Sequence, residues 1–146
     1  MSSVPQIALV GCGYWGKNLC RNFFKLRALS SVVDGNEKGQ ETARSIAPNV
    51  VITDCFDVVL RDDQIKGIAL ATPAETHVSL AIKAMRAGKD VFVEKPLALN
   101  EIDTLRIKDA VDKTGKKLMV GHLLQYHPAF EKVIEIIDLG HIGKVK

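Results

Sequence analysis

Two adjacent charges, Glu94 and Lys95, stand between the apolar run "VFV" and Pro96. A lysine amine at the rim of a low-dielectric crevice can give up its proton and work as an acid or base. A solvated charge pair ahead of a proline turn has the same sequence, and position alone does not separate the two. Pro96 fixes the local backbone, and the bond before a proline is where a cis peptide is least costly. A second chemistry-bearing stretch is Gly11-Cys12-Gly13-Tyr14-Trp15-Gly16, a G-x-G-x-x-G pattern inside "IALVGCGYWGKNL". Three glycines exceed the needs of a simple bend. In a strand-to-helix turn the first allows the tight turn and the second lets a pyrophosphate reach the backbone. The third lets the helix pack close to the strand. Asp34 follows 23 positions after Gly11 (34 − 11 = 23), near the spacing of about 20 at which an acid meets a ribose 2′-hydroxyl. Its charge repels a 2′-phosphate, so NAD is favoured over NADP. The bare alternative for Asp34 is a turn residue in "DGN".

Histidines and cysteines offer other chemistries. His77 ends "ATPAETH", where it is either a structural residue of a helix start or a site contact. His122 opens "HLLQYHPAF", five positions before His127. That spacing, with no third ligand nearby, argues against a metal. Cys12, Cys20 and Cys55 have no paired C-x-x-C spacing, which points to no zinc site and a reducing, cytoplasmic compartment.

These residues need elements to hold them, and strand and helix patterns alternate along the chain. Short apolar runs predict strands at 7–10, 30–33, 50–52, 67–71, 90–93 and 117–120. Helical spacing predicts helices at 15–27, 37–46, 56–60, 75–87, 100–114 and 128–139. Gly88 and Gly115 suit C-terminal caps, Asn100 an N-cap, and Pro128 a first helical turn. Continuous apolar strands alternating with helices imply an α/β, doubly wound Rossmann fold with a mostly parallel sheet. In such a sheet the C-terminal strand ends face one ligand crevice. The glycine turn, "ATP", "EKP" and "GH" all fall there.

Composition narrows the partners. The chain has 146 residues and a net charge of +3, with its basic residues dispersed apart from "TGKKL". No nucleic-acid partner is expected from that pattern. No run approaches the roughly 18 apolar residues of a membrane span, and "MSSVPQ" lacks a signal-peptide pattern.

The three stretches "IALVGCGYWGKNL", "ATPAETHVSLAIKAMRAGKDVFVEKPLAL" and "VGHLLQYHPAF" together resemble the glucose-fructose oxidoreductase / inositol dehydrogenase family of nicotinamide-dependent sugar oxidoreductases. Details resemble the branch acting on UDP-N-acetylglucosamine-type substrates. The resemblance implies that Lys95 contacts the reacting sugar hydroxyl and assists proton transfer. It assigns Gly11, Gly13, Gly16 and Asp34, with Tyr14 and Trp15 among them, to the cofactor. Thr72, Pro73, His77, Glu94 and His122 are implied to line the nicotinamide half. The family also has a second α/β domain, which carries most of the sugar pocket, a histidine acting with the lysine, and usually the oligomer interface. The expectation is therefore a dinucleotide-binding core at 1–121. Residues 122–146 are then a closing helix and the start of a connection to an absent C-terminal domain, with homo-oligomers a further expectation. On that view the chain is a truncated enzyme holding NAD with little or no turnover. The alternative is a non-catalytic dinucleotide sensor or partner-binding module.

Overall fold

A computed structural model describes residues 5–144. Six strands form one all-parallel sheet: β1 (Gln6–Val10), β2 (Leu29–Val33), β3 (Val51–Thr53), β4 (Ile65–Leu70), β5 (Asp90–Val93) and β6 (Leu118–Val120). Their spatial order is β3-β2-β1-β4-β5-β6. The helices are α1 (Gly16–Lys25), α2 (Glu37–Ile46), α3 (Phe56–Arg61), α4 (Ala74–Arg86), α5 (Glu101–Thr114) and α6 (Pro128–Asp138). A 3-10 turn, Leu123–Tyr126, precedes α6. The order reverses between β1 and β4, the switch point at which such sheets open a crevice beyond their C-terminal ends.

Alternation along the strands builds two cores. Leu9, Val32 and Ala69 pack with Cys20 of α1 and Ala43 of α2 on one face. Ala8, Val10, Ile68 and Leu70 pack with Val59 of α3, Val78, Ala81 and Met85 of α4, and Ile107 of α5 on the other. Both faces are covered, which is why the strands read as continuous apolar runs rather than alternating ones. The strand bounds differ from the expected ones by at most a residue except in β4, which starts at Ile65, two residues before the apolar run "GIALA". Lys66 is exposed at the sheet's N-terminal edge, so the run alone does not mark the strand start.

Local signals set the helix ends. Asn100 Oδ1 accepts from the Asp103 amide at 2.8 Å, and Gly115 closes α5 in the left-handed region at φ 64°. Each such cap contributes on the order of 1 kcal/mol. At α6, Pro128 takes the first position and His127 Nδ1 accepts from the Ala129 amide at 3.1 Å. That helix has no buried residue, and Phe130, Val133 and Ile134 remain exposed. Its 3.6-residue pattern forms the helix, but none of its apolar face packs into either core.

Candidate functional site

The β1–α1 turn carries its three glycines for three different reasons. Gly11 sits at φ +89°, and a Cβ there would lie 2.7 Å from the Ala71 carbonyl oxygen at the end of β4. Gly16 faces the carbonyl of Gly11, which a Cβ would overlap. Gly13 has neither excuse: its φ is ordinary, and a Cβ would meet nothing within 4 Å. The fold does not require glycine at 13. A backbone left bare toward open space, just before a helix N-terminus, is a cradle for an anion.

Asp34 ends β2 beside that turn. Its Oδ2 accepts from the Cys12 amide at 2.7 Å and its Oδ1 from the Asn36 amide at 2.9 Å. The carboxylate thus fastens the glycine turn to the start of α2. Two carboxylate oxygens offer about four acceptor sites, so capacity for ribose hydroxyls remains. Cys12 and Cys20 lie buried behind the turn as free thiols. The thiol contact with Cys20, then burial, then the Asp34 charge push the Cys12 thiol up, away from the reactive thiolate.

Two clefts meet at Ala71 and Thr72. One, of about 460 Å³, runs from Gly11 and Gly13 past Asp34 to Asp54 and Phe56. The other, of about 640 Å³, runs from Trp15 and Thr72 past Glu94, Lys95 and Pro96 to His122 and Phe130. Both clefts adjoin the glycine turn, one through Gly11 and Gly13 and the other through Trp15, and paired clefts at the switch point of such a sheet suit the two halves of a dinucleotide. Tyr14 points away into solvent under the Lys17 ammonium, 5.1 Å from its ring centroid.

The second cleft is built by two loops that His77 ties together. Its Nδ1 lies 2.7 Å from the Pro96 carbonyl oxygen, and its Nε2 lies 2.8 Å from that of Thr72. The ring is 1% exposed. With a main-chain carbonyl against each ring nitrogen, His77 bridges the loops that carry Thr72 and Lys95. Thr72 is held further by Thr76, whose hydroxyl lies 2.7 Å away and itself donates to the Pro73 carbonyl. Lys95 is exposed on the cleft wall, and the Lys95–Pro96 bond is cis. His122 is also exposed there.

Glu94 is the anomaly. It is 8% exposed, and its Oε1 has no hydrogen-bond partner among the described residues. Its Oε2 crowds Gly121, where a Cβ would lie 2.9 Å away. A buried carboxylate without a donor is costly, and at a cleft wall it fits a donor arriving with a ligand. Sequence reasoning placed Gly121 at a strand end without a role. Its smallness answers a carboxylate on the neighbouring strand, a relation visible only once β5 and β6 pair. Among the described residues, no three His, Cys, Asp or Glu side chains cluster as a metal site, and no helix is long and apolar enough to cross a membrane.

The fold, the glycine turn, the strand-end acid and the paired clefts define a dinucleotide-binding Rossmann domain. Residues 6–122 match the GFO/IDH/MocA family, described as "Oxidoreductase family, NAD-binding Rossmann fold", and the chain belongs to that family. Among curated proteins it is similar to scyllo-inositol 2-dehydrogenase (NAD(+)) of Bacillus subtilis, 32% identical over 99% of this chain and 43% of that protein. It is also similar to inositol 2-dehydrogenase of Gluconacetobacter diazotrophicus, 33% identical over 95% of this chain and 43% of that protein. An NAD-binding protein from Listeria innocua superposes with a TM-score of 0.87 at 28% identity, over 97% of this chain and 42% of that one. Scyllo-inositol dehydrogenase from Lactobacillus casei, solved with NAD(H) and scyllo-inositol, shares the fold at a TM-score of 0.88 and 20% identity, covering 97% of this chain and 43% of that one. The chain spans less than half the length of these relatives.

Proposed function

We propose that this domain serves an oxidoreductase that oxidises a secondary hydroxyl of a cyclic polyol, sugar or sugar nucleotide. The observation that carries the reading is Gly13, a glycine with no demand from the fold and open space beside it. A pyrophosphate against that backbone directs the adenosine half toward Asp34 and the nicotinamide half toward Glu94 and Lys95. Thr72, Pro73, Trp15 and His122 line the ring's approach, and His77 holds two of the loops.

Bound nicotinamide supplies the hydride acceptor. On this reading Lys95, in its neutral form, takes the hydroxyl proton as the carbinol C–H bond breaks and the carbonyl forms; its exposure on the cleft wall supports the assignment. Relatives named as inositol dehydrogenases support a polyol or sugar substrate. UDP-linked sugars remain a narrower reading, resting on the sequence details around the glycine turn and "GHLLQYHPAF". The relatives' greater length supports further residues completing the substrate pocket. Three free thiols suit a cytoplasmic setting.

The test has two parts. Calorimetry with NAD should show binding to this chain that Asp34→Ala weakens. In a protein carrying the rest of the relatives' length, a panel of inositols, sugars and UDP-sugars should give NADH formation that Lys95→Ala abolishes. No NAD binding at millimolar nucleotide refutes the cofactor reading. Full turnover after Lys95→Ala refutes the catalytic assignment.

A further inference from the structure

The first turn of α2 contains a glycine, Gly39, which is buried and is a poor helix former. Its φ lies outside the left-handed range, so the backbone makes no demand for it. Space does. A Cβ at 39 would overlap the Asp34 side chain at Oδ2 and Cγ, and would lie 2.7 Å from Oδ1. That carboxylate is the group whose oxygens hold the Cys12 and Asn36 amides at 2.7 Å and 2.9 Å. The side-chain amide of the neighbouring Gln40, through Nε2, also donates to the Asp34 main-chain carbonyl at 2.8 Å. The first turn of α2 is therefore shaped around Asp34.

We infer that Gly39 sets the domain's choice of dinucleotide by providing the seat of the Asp34 carboxylate. The inference rests on the NAD reading above and extends it to a residue outside the motif. With the seat intact, the carboxylate stays at the end of β2, where it accepts from a ribose 2′-hydroxyl and repels a 2′-phosphate. Any side chain at 39 drives it off. The Cys12 amide then loses its acceptor, the glycine turn loses its fastening to β2, and the negative charge leaves the place where a 2′-phosphate is rejected. Affinity for NAD falls, and so does discrimination against NADP.

The experiment is a double-mutant cycle on Asp34→Ala and Gly39→Ala, read by calorimetry with NAD and with NADP and by thermal unfolding. Gly39→Ala alone should weaken NAD by roughly ten- to a hundred-fold, the loss expected for a charged hydrogen bond, and narrow the NAD/NADP ratio. In the Asp34→Ala background the same change should alter affinity and ratio by no more than about two-fold, within the additivity expected of uncoupled sites. There it should also raise the melting temperature, because alanine is the better helix former and no carboxylate opposes it. If Gly39→Ala alone does not fold, folding of the double variant supports the seat, and failure of the double variant overturns it. An unchanged NAD affinity and ratio in Gly39→Ala, or an equal cost in both backgrounds, overturns the inference while leaving NAD binding standing. A parent that binds neither nucleotide overturns the NAD reading and this inference with it.

Discussion

Replacing Glu94 by glutamine should make the ligand-free domain more stable while making NAD stabilise it less. Glu94 is 8% exposed, and its Oε1 finds no donor among the described residues. An unsatisfied buried polar group costs about 1–3 kcal/mol, more when charged. Glutamine keeps the shape between β5 and Gly121 and removes the charge but leaves a polar atom unpaired, so only the extra cost of the charge, on the order of 1 kcal/mol, should be returned. For a domain of this size 1 kcal/mol corresponds to about 2–4 °C, so the ligand-free melting point should rise by about that much. The parent at about 100 times its Kd for NAD should gain about 2.7 kcal/mol of stability. Glu94→Gln should gain less, because the group that awaits the ligand's donor is weakened. Thermal unfolding of both proteins, with and without NAD, measures all four values. A lower melting point for ligand-free Glu94→Gln would show that the carboxylate is already satisfied by the protein, and the reasoning would fail. An identical NAD-dependent gain would break the link between Glu94 and the cofactor.

Three further outcomes follow from the same geometry. Gly13→Ala should melt within about a degree or two of the parent, since nothing lies within 4 Å of its Cβ position, yet bind NAD at least tenfold more weakly; Gly16→Ala, whose Cβ meets the Gly11 carbonyl, should be strongly destabilised, and equal stability of the two would refute the division of labour. An aromatic disulfide reagent should titrate one thiol, Cys55, in the native protein and three after denaturation, because Cys12 and Cys20 are buried; prompt reaction of a second native thiol counts against the packing behind the turn. A hydrogen bond and then the charge of Lys83, 2.5 Å away, hold the Asp57 carboxyl below the usual carboxylate range. That contribution is complete above the unfolded carboxyl's pKa of about 4 and vanishes as pH falls through the depressed folded value. Asp57→Asn should therefore melt about a degree or two below the parent at pH 7 and converge with it in acid, as thermal scans across pH would record.

The sequence carried the local relations and missed those that depend on strand pairing. Gly11, Gly13 and Gly16 were legible as a phosphate turn because their spacing and the flanking strand and helix are contiguous. Asp34 was legible as a strand-end acid. That its Oδ1 holds the Asn36 amide is the local turn that "DGN" suggests, but that its Oδ2 already holds the Cys12 amide was not legible, since this depends on the register of β1 against β2. Gly39 and Gly121 were illegible for a related reason. Each is small to admit a carboxylate from a different element, Asp34 and Glu94 respectively, and neither has a signature of its own. His77 sat where a helix start suggested. Its two carbonyl partners come from the loops after β4 and β5, which meet only once those two strands pair.

The two halves of the site differ in how far the protein satisfies itself. Around β1 and β2 the charged group is already bonded: Asp34 has two amide donors, and α2 leaves it room. Around β5 and β6 one polar atom is left over: Glu94 Oε1 has no donor among the described residues, while Lys95 and His122 stand exposed to solvent. The apolar side chains of Leu123, Leu124 and Phe130 stand exposed beside them. Preorganisation lowers the cost of binding, so on the function proposed above the adenosine half should bind here with little rearrangement. Unsatisfied groups instead raise the energy of the empty site and are relieved only when a correctly placed donor arrives. An oxidoreductase needs that division: a firm hold on the part of the cofactor that does not react, and interactions at the reacting end that are completed when ring and substrate are in register.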